Sequence, residues 1–94
     1  MRFTVQWPNG ERESCYSPSL IVRDYLEVGR SYPLAEFLTR TRTMLGIASE
    51  RVKEKYGYYC SAAMDQLATI ESRGESFDPA GTVEVVAFDV PPGF

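Results

Sequence analysis

The sequence predicts an α+β fold: a small antiparallel sheet, built from an N-terminal hairpin and a C-terminal strand, with a long helix and a second helix packed on one face. Three observations predict it. Residues 2–7 alternate apolar and polar and run into Pro8-Asn9-Gly10, a turn signal. From Leu34 to Tyr56 the apolar residues recur at a helical period. Residues 82–90 then return to a short, strongly apolar strand pattern. Strands before and after a block of helices imply one layered α+β unit, and 94 residues suit a single domain over 1–94.

In the first strand Phe3, Val5 and Trp7 share a face. Two hairpin registers are open. A two-residue Asn9-Gly10 turn would set Phe3 opposite Tyr16, but it puts Pro8, which has no N–H, where the turn normally closes. A three-residue loop with Gly10 left-handed and a bulge sets Phe3 opposite Cys15 and Val5 opposite Glu13, and it fits the residues better. The second strand covers 11–16. Ser17-Pro18-Ser19 reads as the start of a short helix over 20–26, with Ser17 as its cap and Val22, Tyr25 and Leu26 on one side.

Gly29 closes that piece, and Ser31-Tyr32-Pro33 reads as the opening of the long helix. Its apolar series is Leu34, Leu38, Thr41, Leu45, Ala48, Val52 and Tyr56, with Phe37 beside it. Gly46 is a candidate kink, and Gly57 suits a left-handed exit. A second helix is expected over 60–73, with Cys60, Ala63, Met64, Leu67 and Ile70 inward. The last strand, 82–90, is apolar on both faces: Val83, Val85 and Ala87 on one, Val86, Phe88 and Val90 on the other. That pattern suits a central strand or one whose second face meets a partner.

Composition narrows the chemistry. The chain has no histidine, which excludes a Ser-His-Asp triad, a Cys-His pair and a histidine zinc site. Two cysteines do not make a secreted disulfide framework, and free thiols are expected. No apolar run approaches the roughly 20 residues of a membrane span, and residues 1–5 carry no signal-peptide core. The expected location is the cytoplasm. Charge is uneven: residues 40–56 hold five basic side chains against two acids, whereas residues 57–94 hold Arg73 against six acids. The net charge of −3 disfavours nonspecific nucleic-acid binding.

Several residues invite a functional reading, each set against a plainer one. Cys60, near a helix start, has the position of a low-pKa nucleophile, yet it shares a stripe with Met64 and Leu67 and reads better as a buried structural cysteine. Cys15 reads the same way. Tyr56, Tyr58 and Tyr59 surround Gly57 and could anchor a contact; the plainer expectation has two of them packed into the corner. Arg51, Lys53 and Lys55 could form the recognition helix of a helix-turn-helix bent at Leu45-Gly46. The unbroken apolar period and interspersed glutamates favour a solvated helix face instead. Glu11 with Glu13, and Asp24 with Glu27, read as solvated surface. No metal-ligand spacing or phosphate-cradling glycine loop is present, and no cofactor is expected.

Residues 2–10 (RFTVQWPNG), 15–19 (CYSPS), 31–37 (SYPLAEF), 46–57 (GIASERVKEKYG) and 60–67 (CSAAMDQL) resemble a small bacterial family, the MSMEG_0570-type nitrogen-starvation response proteins. The likeness covers most of residues 2–73. It implies a setting, in a gene cluster with a nitrilase, a radical-SAM protein and an acetyltransferase-like protein that serves nitrile or cyanide nitrogen use. It implies no activity and no functional residue. The leading expectation is a non-catalytic accessory or binding protein of that pathway. The alternatives are a thiol-dependent enzyme or group carrier using Cys60 or Cys15, and a DNA-binding regulator using Arg51, Lys53 and Lys55. Self-association as a homodimer or higher homo-oligomer is also expected, through an outward patch of Val86 and Phe88 near Phe3 or Trp7, alongside contact with a protein of the same pathway.

Overall fold

A computed structural model describes residues 1–58 and 61–90. Tyr59, Cys60 and the tail 91–94 lie outside the described residues, so the expectations placed on Tyr59 and Cys60 do too. The elements run β1 (Arg2–Gln6), β2 (Arg12–Tyr16), α1 (Val22–Tyr25), β3 (Ser31–Pro33), α2 (Leu34–Tyr56), α3 (Ser61–Glu75) and β4 (Thr82–Asp89). The strands form one antiparallel sheet in the order β2-β1-β4-β3. The α+β architecture is as expected, with a fourth strand added.

The hairpin adopts the three-residue loop. The Trp7 carbonyl accepts the Gly10 N–H at 2.9 Å across Pro8 and Asn9, and the Trp7 N–H reaches the Glu11 carbonyl at 2.8 Å. Gly10 has φ 87°, a conformation that costs a residue with a Cβ about 1 kcal/mol or more. The resulting register pairs Phe3 with Cys15 and Val5 with Glu13.

Two local expectations are corrected. Ser17 does not cap a helix: its Oγ donates to the Ser19 carbonyl at 2.9 Å and accepts the Ser19 N–H, so it holds a turn. Its backbone is occupied as well, exchanging hydrogen bonds with Met1 at the end of the hairpin. The helix therefore begins later, at Val22. Likewise Ser31-Tyr32-Pro33 is a strand, with Tyr32 opposite Val83. Pro33 lies at the sheet edge, where its missing N–H costs no ladder bond. The Leu34 N–H, the first of α2, is satisfied by the Gly81 carbonyl at 3.0 Å.

One core fills the space between sheet and helices. Trp7 is its centre, edge-on to Phe37 at 5.7 Å and stacked on Phe77 at 5.5 Å. Phe3, Val5, Cys15, Tyr32, Val83 and Val85 come from the sheet, and Leu34, Phe37, Met44, Leu45 and Ala48 from α2. Burying side chains of this size contributes about 1.5–3 kcal/mol each.

β4 is central, as its apolar run implied, but its faces are not those that plain alternation assigns. A bulge shifts the β1–β4 register: Thr4 pairs with Ala87 while Val5 pairs with Val85, leaving Val86 as the extra residue. Beyond the bulge Phe88 pairs with Phe3 and packs against the core. The expected outward patch of Val86 and Phe88 beside Phe3 or Trp7 is thus overturned, because Phe3 and Trp7 are buried and Phe88 lies with them. The opposite face carries Thr4, Gln6, Arg12, Ser14 and Glu84, and Arg12 bonds Gln6 across it.

α2 runs without a break through Gly46 and stops at Gly57, which has φ 83° and donates its N–H to the Lys53 carbonyl at 2.7 Å. An unbroken α2 removes the turn that a helix-turn-helix needs at Leu45-Gly46. α3 buries Ala63 and Ile70 against it, but Met64 is 45% exposed, contrary to its expected inward place.

Candidate functional site

Two exposed aromatic side chains, Tyr56 and Tyr58, stand at the C-terminal end of α2. At 1.5 Å per residue, a helix of 23 residues is roughly 35 Å long, while the longest strand has eight residues. Along the apolar stripe of α2, Leu34, Thr41, Leu45 and Ala48 are buried and Leu38 is half-buried; further along Val52 is half-buried and Tyr56 is 57% exposed. Tyr58, just past the Gly57 stop, is 65% exposed. The two rings face each other at 6.1 Å. The expectation that tyrosines here pack into the corner is therefore corrected for Tyr56 and Tyr58.

These side chains line a groove of about 420 Å³ with Tyr16, Pro18, Ser61 and Ala62. Tyr16 ends β2, and its backbone N–H is held by Gln66 Oε1 of α3 at 2.9 Å, which fixes one wall against the other. The Lys55 ammonium lies 5.3 Å from the centre of the Tyr56 ring, a cation–π distance. A groove with three aromatic walls and a cation at its rim offers large contact area, hydroxyl partners and little side-chain entropy to lose.

The thiol positions fare differently. Cys15 is fully buried on the core side of β2. Burial first, and the neighbouring Glu13 carboxylate second, push its thiol from 9.0 up to about 12. Such a thiol is protonated and shielded at neutral pH, the opposite of what a nucleophile requires. Val86 is half-buried at the bulge, and Phe88 belongs to the core edge. Neither joins the tyrosine groove.

Among the basic residues, Arg51 donates from Nη1 to Ser19 Oγ at 3.0 Å. Arg73, which had no assigned role, proves structural: it bridges Glu11 and Glu13 and lies 5.7 Å over the Trp7 ring. Trp7 Nε1 donates to Glu13 Oε1 at 3.1 Å. Glu11 and Glu13 are therefore engaged rather than merely solvated, tying α3 to the hairpin across some sixty residues of chain. Among the described residues no cluster of cysteine and carboxylate groups could hold a metal. No helix among them is long and apolar enough to cross a membrane.

Neither a curated protein nor a solved structure matches the chain. A family model described as nitrogen starvation-induced protein NitG matches residues 2–88, nearly its whole length, in keeping with the resemblance read from its motifs. The chain belongs to the NitG family of nitrogen starvation-induced proteins.

Proposed function

We propose that this chain is a single-domain, non-catalytic accessory protein of the bacterial nitrogen-starvation response, acting in the cytoplasm in nitrile-nitrogen scavenging. It works by docking a partner protein of the same pathway in the tyrosine groove. The observation that carries this reading is the end of α2, where half-buried Val52 and exposed Tyr56 line one groove with exposed Tyr58. The partner segment best suited is extended, proline-containing and acidic. Aromatic-lined grooves favour preformed polyproline segments, and the adjoining stretch of α2 carries Arg51, Lys53 and Lys55. The test is complementation of a deletion strain under nitrogen limitation. Tyr56→Ser with Tyr58→Ser should lose complementation while melting like the wild type, because both side chains are exposed. Full complementation by the double variant would overturn the reading.

Self-association is a second reading, on a different surface from the one the sequence suggested. Exposed Met64 stands beside a largely apolar groove of about 340 Å³ formed with Gly46, Ser49 and Glu50. Gly46 leaves open space where a side chain would stand. Two copies related by a two-fold axis could each place Met64 in the other's notch, as isologous contacts require. Sedimentation of the wild type at micromolar concentration should then show a dimer that Met64→Glu splits. A wild-type mass that stays at 10.6 kDa on concentrating would exclude it.

A further inference from the structure

The residues leading into α1, α1 itself and α2 line a second, open depression of about 370 Å³. It is lined by Leu20, Ile21, Arg23, Asp24 and Arg51. Among the described residues no ion pair joins either guanidinium to Asp24 or to any other carboxylate. Among the described residues, Glu11, Glu13, Glu36 and Glu71 form ion pairs elsewhere. Two positive groups and one negative group thus line the same space without neutralising one another. Arg51 is not loose: its bond to Ser19 Oγ steers the guanidinium, leaving other N–H donors for a ligand. Between the charged groups, half-buried Leu20 and buried Ile21 supply an apolar wall.

We infer that this depression is a binding site for a small zwitterionic amino acid with a short aliphatic side chain. The carboxylate is held by Arg51 and Arg23, the ammonium by Asp24, and the side chain lies against Leu20 and Ile21. A guanidinium suits a carboxylate because its planar donors match the two oxygens. A ligand bearing both charges satisfies both sides of the pocket at once, whereas a simple anion meets the guanidiniums but must approach the Asp24 carboxylate. That difference is the basis of selectivity. The depression has more room than a small amino acid fills, so its charges rather than its size set the selectivity. The site shares no lining residue with the tyrosine groove; Arg51 also belongs to the basic stretch beside that groove, so Asp24→Asn is the variant that touches this proposal alone.

The test is amide NMR of the full chain, titrated separately with L-alanine, acetate and methylammonium. Alanine is expected to give saturable shifts confined to residues 19–24 and 49–53. Acetate and methylammonium should each bind at least about tenfold more weakly, since each loses one charge-assisted contact. Arg51→Gln should weaken alanine by about tenfold. Asp24→Asn should weaken alanine by about fivefold or more while leaving acetate as tight or tighter. Both substitutions fall at exposed positions, and an unchanged spectrum elsewhere verifies the fold. Absence of saturable shifts, acetate binding as tightly as alanine, or an Asp24→Asn variant that binds alanine normally would each overturn the proposal.

Discussion

Raising the pH from 8 to 10 should selectively weaken this fold through one atom, the Cys15 sulfur. In the unfolded chain a cysteine ionises near 9.0, whereas in the fold burial and Glu13 hold Cys15 protonated up to about 12. At pH 8 both states carry the proton and Cys15 contributes nothing to the pH dependence. At pH 10 the unfolded thiol has largely lost its proton, while the folded one, still well below 12, has not. The folded state then binds more protons, so stability falls as pH rises. One pH unit beyond 9.0 corresponds to about 1.4 kcal/mol. Against a total of roughly 5–15 kcal/mol for a domain of this size, that shifts a urea midpoint by about 0.5–1 M. The assay compares urea unfolding of the wild type and Cys15→Ala at both pH values. All other groups are common to both proteins, so their effects cancel in the comparison. The wild type should lose about 1.4 kcal/mol more than the variant between pH 8 and 10. Equal losses would refute the assignment of Cys15 as a buried, protonated core residue. With Cys60 replaced by serine, Cys15 should moreover react with a thiol reagent no faster than the protein unfolds.

Two further outcomes check the scaffold that holds the site. Arg73→Gln removes the bridge to Glu11 and Glu13 and the contact with Trp7, and should cost about 1 kcal/mol, part of it sensitive to salt. Arg42→Gln, which breaks the exposed pair with Glu71, should cost close to nothing by the same denaturation assay. Equal effects from the two would show that the Arg73 cluster does not lock α3 to the hairpin. Gly57→Ala should cost about 1 kcal/mol from its left-handed backbone alone, since a methyl group there meets no neighbour. It should also disturb the groove, because Gly57 sets where Tyr58 stands.

The parts of this fold legible in the sequence are those whose cause is local. Pro8-Asn9-Gly10 contains its own turn chemistry, so the better-fitting register was the observed one. The period from Leu34 and the glycine at 57 bracket α2 closely. The features that local sequence does not signal depend on distant chain. Ser31-Tyr32-Pro33 is too short to signal a strand and becomes one only because β4 offers an edge. The bulge at Val86 leaves the alternation of residues intact while turning Phe88 toward Phe3, so the supposed outer patch vanished. Glu11 and Glu13 looked solvated because Arg73, their partner, is some sixty residues away. The tyrosines were visible as a cluster, but their exposure follows from helix length set against sheet length, a comparison no single segment contains.

The most direct test of the docking surface is site-specific photo-crosslinking. A benzophenone side chain is placed at Val52 on the groove floor and, as a control, at Ser14 on the polar outer face of the sheet. In nitrogen-starved cells the Val52 probe should give one discrete adduct. Its crosslinked peptide, read by mass spectrometry, should come from another protein of the response and carry acidic residues near a proline. The adduct should disappear with Tyr56→Ser and Tyr58→Ser, and the Ser14 probe should give none. No adduct at Val52, or the same adducts from Ser14, would contradict the account.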